Sequence, residues 1–299
     1  MDFSRIAIIG TGRVGATTAY ALLLHNCASE LLLVDIDKKK CKGELLDLSD
    51  ALSFSTSSQI QQATYKQAAQ ADIIIVTAGV AQKPGQSRTE LTQKNKEIIT
   101  SIFNELQPIN PDAVIIMVTN PVDLMTYYAQ KIITLPKDHV IGTGTFLDSQ
   151  RLCGALSSKL DIAEQSINAY ILGEHGDTQF PAWSSAQAGG VPVLTFENIT
   201  QKTLDELAQQ ARDKAYDIIN HKGATYYGIA ACVASLCESI LFNQKRIFPV
   251  SCYIHTYDVC LSMPTSIGRA GIERILPIPL TKKEQMLLEE SANYLCEQK

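Results

Sequence analysis

Arg5-Ile6-Ala7-Ile8-Ile9-Gly10-Thr11-Gly12-Arg13-Val14-Gly15 decides the fold. Five strand-forming residues run straight into GxGxxG, and an apolar helical pattern follows from Val14 to Leu24. In such a unit Gly10 permits the tight turn, Gly12 lets a pyrophosphate approach the backbone, and Gly15 packs helix on strand. The exposed N–H groups and positive end of the helix dipole then meet the phosphate charge. Asp35 closes the second strand, twenty residues beyond Gly15. A carboxylate there accepts from the adenosine ribose hydroxyls and repels a 2′-phosphate, which favours NAD over NADP.

Outward from this stretch, short apolar runs at 5–9, 31–35, 73–77, 113–118 and 139–142 alternate with helical patterns. That alternation predicts an α/β fold, a Rossmann-type doubly wound parallel sheet. The runs are apolar throughout, as strands buried on both faces should be. Thr77-Ala78-Gly79 and Thr119-Asn120 end later strands and face the crevice where ligands of such sheets sit. Beyond Gly144 the texture changes to long amphipathic segments at 148–160, 203–220 and 225–242, then strands near 248–254 and 258–262. Thr281 caps a last helix reaching about Glu297. We therefore expect an NAD-binding domain over 1–142 and a mixed α+β substrate domain over 143–299, with a cleft between them.

Composition narrows the function classes. The chain has 299 residues, 19% charged and 45% apolar, with a formal charge of −5. Basic runs stop at Lys38-Lys39-Lys40, so no nucleic-acid partner is expected. No apolar stretch nears the ~18 residues that span a bilayer, and the amino terminus enters a strand without a signal peptide. The eight cysteines include no CxxC, and Cys252, His255 and Cys260 match no zinc spacing. These features predict a reduced, cytoplasmic protein without a metal.

The chemistry concentrates in Gly173-Glu174-His175-Gly176-Asp177 and Leu147-Asp148-Ser149-Gln150-Arg151. The flanking glycines allow a sharp turn that brings backbone and imidazole to a ligand. His175 has the intrinsic pKa for reversible proton transfer near neutrality. Asp148 and Arg151 share one helix face, so an acid can orient the ring while a planar guanidinium clamps a carboxylate. The polar loop from Val80 to Arg88 carries Gln82, Pro84-Gly85 and Arg88, in the position of a lid beside the crevice.

Taken together, GTGRVG, AQKPGQSR, TNPVD at 119–123, LDSQR, GEHGD and KGATYY at 222–227 resemble, in order, the L-lactate/L-malate dehydrogenase family, closest in motifs to its bacterial L-lactate members. The resemblance implies reversible hydride transfer between NADH and pyruvate, with malate or an L-2-hydroxyisocaproate-type acid as the alternative substrate. It implies that His175 is the proton donor and acceptor, Asp148 its orienting partner, Arg151 the carboxylate clamp and Arg88 the group polarising the carbonyl. Asn120 and Thr225 would line the substrate site. Cofactor contacts would fall at Val14, Asp35, Lys40, Tyr65, Gly79, Val80, Ser101, Val118, Asn120 and Thr143, besides the three glycines. A homotetramer or homodimer is implied too.

Gln82 stands where malate-type members carry an arginine for the second carboxylate. An unpaired dianion would lose several kcal/mol on burial, so a methyl group, and hence pyruvate, is favoured. Cys153 and Asn168 replace the Arg and His of members activated by fructose 1,6-bisphosphate, which argues against that regulation. The segment Tyr253-Ile254-His255-Thr256 is also several residues shorter than usual.

Overall fold

A computed structural model describes residues 4–55, 59–80 and 88–299, with the side chain of Arg88 outside that description. The first half runs β1 (Arg5–Ile9), α1 (Arg13–His25), β2 (Glu30–Val34), α2 (Lys38–Asp50), β3 (Gln59–Gln62), α3 (Tyr65–Ala68), β4 (Ile73–Val76), α4 (Arg88–Leu106), β5 (Val114–Met117), α5 (Val122–Ile132) and β6 (Val140–Gly142). These six strands are parallel in the order β3-β2-β1-β4-β5-β6, the Rossmann arrangement.

Alternation within each strand divides the apolar runs between two cores. Ala7, Ile9, Leu32, Val34, Ile74, Val76, Ile115 and Met117 face one layer, packed by α4, α5 and α9 (Lys282–Glu297). Ile6, Ile8, Leu31, Leu33, Ile73, Ile75, Val114 and Ile116 face the other, packed by α1 and α8 (Tyr227–Leu241). Both faces are thus dry, which accounts for strands with no polar alternation. β3 departs from the sequence expectation. Its Gln-Ile-Gln-Gln run contributes little to either core and pairs with β2 alone, at the sheet edge.

The second half continues with α6 (Phe146–Leu160), β7 (Ile167–Asn168), β8 (Ile171–Leu172), β9 (Phe180–Pro181), β10 (Gln187–Ala188) and β11 (Val191–Pro192). It then runs through α7 (Gln201–Lys222), α8, β12 (Arg246–Ile254), β13 (Val259–Gly268), β14 (Gly271–Ile275) and α9. The two-residue strands form small sheets over a third core, where Leu152 and Leu156 of α6 meet Leu207 and Ala211 of α7. β12, β13 and β14 extend the main sheet to nine strands among the described residues, each pairing antiparallel with the strand before it in the sheet. Ser251 on Gly142 is the register pair that makes the join. A tight turn joins β12 to β13, with the Tyr257 N–H donating to the Ile254 carbonyl at 3.1 Å.

Candidate active site

The crevice lies at the carboxyl ends of the parallel strands. Gly10 takes φ +100°, and a Cβ on Gly15 would lie 1.9 Å from the Gly10 carbonyl, so both glycines are required by the tight β1–α1 turn. Gly12 differs, because a Cβ there would meet nothing within 4 Å. No side chain caps the first turn of α1 at Gly12. Open backbone at an uncapped helix amino terminus fits a pyrophosphate. Asp35 Oδ2 accepts from the Thr11 amide at 2.6 Å and hydroxyl at 2.9 Å, and Oδ1 accepts from the Asp37 amide at 2.9 Å. Burial raises its pKa, but these bonds and the Lys40 charge outweigh it and hold Asp35 below its ordinary value.

Across the crevice, the first two turns of α6 carry Asp148 and Arg151. Asp148 is 3% exposed and accepts twice: from His175 Nδ1 at 2.7 Å and from Arg151 Nη1 at 3.0 Å. With Nδ1 committed, Nε2 is the ring nitrogen left for a ligand. Burial disfavours a charged ring, yet the charge and hydrogen bond of Asp148, assisted by Asp123, raise His175 to about 9. The same pairing holds Asp148 below its usual range despite burial. The backbone N–H of His175 donates to Asp123 Oδ2 at 2.7 Å.

His175, Asp148 and Arg151 share a cavity of about 400 Å³ with Asn120, Thr143 and Thr225. Val14 and Val118 also line it, as do Arg212 and Tyr216 of α7.

Two family models cover almost the whole chain. Residues 4–142 match the lactate/malate dehydrogenase NAD-binding domain, and residues 145–299 match the lactate/malate dehydrogenase alpha/beta C-terminal domain. The chain belongs to the lactate/malate dehydrogenase family. Within this family it is 42% identical to L-lactate dehydrogenase A of Rhizopus oryzae, over 98% of this chain and 91% of the relative. Identity to the L-lactate dehydrogenase of Acetivibrio thermocellus is 40%, over 98% and 95%. Among solved structures, a lactate dehydrogenase from a Medee basin deep-sea metagenome library superposes with a TM-score of 0.95 at 35% identity, covering 100% of this chain and 98% of that one.

The other positions singled out from sequence fall around the dehydrogenase crevice or apart from it. Gly79 and Val80 are exposed after β4, and Val80 N–H donates to Asn95 Oδ1 at 2.8 Å. Lys40 opens α2, its amide capped by Asp37 at 3.0 Å. Tyr65 is half-buried in α3 and raised in pKa by burial and then by Asp35. Ser101 is exposed on α4, away from the residues lining the cavity. Gln82 lies outside the described residues, and Arg88 is described only as the backbone start of α4. Cys153 is buried with its thiol on the Ile167 and Ala169 carbonyls, while Asn168 is exposed.

The glycines of the histidine loop are closely packed. Gly173, at φ +87°, presses on Ser291 of α9, where a Cβ would come within 2.6 Å of the hydroxyl. A Cβ on Gly176 would come within 2.2 Å of the Glu174 carboxylate. Both make room for a neighbouring side chain, and Gly176 also lines the cavity. Asn95 was not singled out from sequence. It is 1% exposed on α4, and its amide donates to the carbonyls of Val80 at 3.2 Å and Asn120 at 2.7 Å. It thereby ties together the chain after β4 and β5. Asp123 was likewise read only as part of a motif.

Proposed function

We propose that the chain is an NAD-dependent L-lactate dehydrogenase, interconverting pyruvate and L-lactate. The observation that carries this reading is the 2.7 Å bond between His175 and Asp148, in one cavity with Arg151. A ring held protonated by a buried carboxylate is a general acid ready at neutral pH. His175 donates its Nε2 proton to the carbonyl oxygen as that oxygen gains charge, and takes it back in the reverse direction. Asp148 keeps the Nδ1 proton in place and stabilises the imidazolium.

Arg151 gives one Nη1 donor to Asp148 and has further guanidinium donors for the substrate carboxylate. Asn120 and Thr225 bound the pocket. On the strength of the sequence, Arg88 polarises the carbonyl and Gln82 accepts a methyl group in place of a second carboxylate. When bound, NADH supplies the hydride to the keto carbon. The Gly10–Gly15 turn would hold its pyrophosphate and Asp35 its adenosine ribose. Lys40, Tyr65, Gly79, Val80, Ser101, Val118 and Thr143 belong to the same proposed cofactor set.

The division into a cofactor domain over 1–142 and a substrate domain over 143–299 is part of this proposal. So are a homo-oligomeric state and a cytoplasmic location. Exposed Tyr20, Leu24 and Leu46 on adjoining helices α1 and α2 support the first. All eight cysteines are free, seven of them buried, which supports a reducing compartment. No described helix is long and apolar enough to cross a membrane. NADH oxidation measured in parallel on pyruvate, oxaloacetate and 2-oxoisocaproate tests the function. The highest kcat/KM is expected on pyruvate, and preference for either of the others would reassign the substrate.

A further inference from the structure

We propose that Arg212 is the entry cation of the catalytic cavity, a guanidinium that captures the carboxylate of the incoming 2-oxo acid ahead of Arg151. The inference rests on the dehydrogenase reading and names the group that admits its substrate.

Two arginines are among the described residues that line the cavity, and they differ in burial and in partners. Arg151 is 8% exposed and gives Nη1 to Asp148 at 3.0 Å. Arg212 is exposed, and its guanidinium makes no ion pair or hydrogen bond with any described residue. An anion arriving from water therefore meets Arg212 first. Leu204, Leu207 and Ala211 are the buried residues of α7. Arg212, Ala215, Tyr216 and Ile219, at spacings of three and four, form the adjoining stripe, and all of them line the cavity. Arg212 is the one charge on that stripe. The residues a turn away from it, Ala208, Gln209, Ala215 and Tyr216, include no acid, so the helix gives it no ion pair of its own. Asp213 beside it accepts from Gln209 at 2.8 and 2.9 Å.

Charge balance gives this arginine a task. Among the described side chains lining the cavity, the acids are Asp123, Asp148, Glu174 and Asp177, and the cations are Arg151, Arg212 and the protonated His175. Burial pushes Asp123 up to about 6, so it too is ionised at neutral pH and above. Four acids against three cations leave a negative balance, in a chain whose formal charge is −5. A 2-oxo acid is itself an anion, and that balance repels it. Asp148 already answers both His175 and Arg151, so Arg212 is the cation whose field is left to attract from outside. A charge at the rim of a cleft acts in this way on association, and its effect falls steeply with ionic strength.

The test is kcat/KM for pyruvate at saturating NADH, in low and in high salt, across Arg212→Lys, Arg212→Gln and Arg212→Glu. A charge is felt over about 30 Å at roughly 10 mM ionic strength but over only about 3 Å at roughly 1 M. At low salt Arg212→Lys should stay within about twofold of the unmodified enzyme, Arg212→Gln should fall about three- to tenfold, and Arg212→Glu should fall further. At high salt the series should converge. The loss should appear in KM, with kcat level. A deficit that survives high salt, an Arg212→Lys as poor as Arg212→Gln, a fall in kcat, or no loss at low salt would overturn the proposal. Should one variant not fold, the other two compared at both salts decide it. An unmodified chain that reduces no 2-oxo acid would reject the dehydrogenase reading and this role with it; normal turnover without the salt-linked series rejects this role alone.

Discussion

Replacing Asp148 by asparagine isolates the charge that governs the proposed acid. The amide oxygen can still accept from His175 Nδ1, so the ring keeps an orienting partner while the carboxylate charge is lost. Asp148 is the principal influence holding His175 at about 9, against a burial that favours the neutral ring. A fall to the ordinary 6.5 corresponds to roughly 3.4 kcal/mol, or ~300-fold in proton affinity. Water reaches the ring, whose side chain is 32% exposed, so screening makes this an upper value. At pH 7.5 the unmodified ring stays almost wholly protonated, whereas the variant ring is about one-tenth protonated.

The assay is kcat/KM for pyruvate reduction between pH 5 and 10. The unmodified enzyme should hold its rate until about pH 9, while the variant should begin to fail near 6.5 or below. The gap should widen towards ~300-fold at alkaline pH from protonation alone. Below pH 6 it should shrink to whatever loss of positioning contributes. Lactate oxidation, which needs the neutral ring, should respond in the opposite sense. Folding shows the same linkage. The folded chain binds the His175 proton more tightly than the unfolded chain, so the stabilisation is complete below 6.5 and is lost as pH rises through about 9. An alkaline limb with the same midpoint in both proteins would refute the assignment of Asp148 as the group that charges the ring.

Arg151→Lys keeps the charge but loses the planar fork, and KM for pyruvate should rise ~10- to 100-fold, as for a charge-assisted hydrogen bond worth ~1.5–3 kcal/mol; an unchanged KM in steady-state kinetics would remove Arg151 as the clamp. Gln82→Arg should raise the oxaloacetate-to-pyruvate ratio of kcat/KM, and a constant ratio would exclude Gln82 as the selector. Asn95→Ala strips three hydrogen bonds from the chain behind the crevice and should cost ~2–4 kcal/mol in urea unfolding. It should also weaken NADH binding in a fluorescence titration; unaltered stability would mean that water replaces the amide fully.

Much of the site was legible because its residues sit beside local signals. The turn at Gly10–Gly15 and the acid at Asp35 are read from spacing, since one strand–turn–helix unit fixes their relation. Asp148 and Arg151 are three residues apart on one helix, and there they form the buried pair observed at 3.0 Å. Asn95 and Asp123 lack such a signal. Asn95 lies within an ordinary amphipathic helix, and its partners at Val80 and Asn120 are 15 and 25 residues away. The sign of the Asp123 perturbation depends on burial under β12 and β13, which no local pattern reveals. β3 escaped notice for a related reason, because a polar edge strand needs only one neighbour and little core.

By itself, the order of apolar runs and glycine turns determined the parallel sheet and the dinucleotide crevice, and it singled out the candidate histidine, acid and arginine. These follow from periodicity and backbone sterics, which act over a few residues. Only the tertiary structure decided that Asp148 serves His175 and Arg151 at once, and that Gly173 and Gly176 yield to Ser291 and Glu174. It also brought a second carboxyl behind the imidazole. Of those contacts, Asp148–His175 and Gly173–Ser291 join segments 27 and 118 residues apart. Their energies depend on who is buried beside whom, a quantity that exists only once the chain has closed on itself.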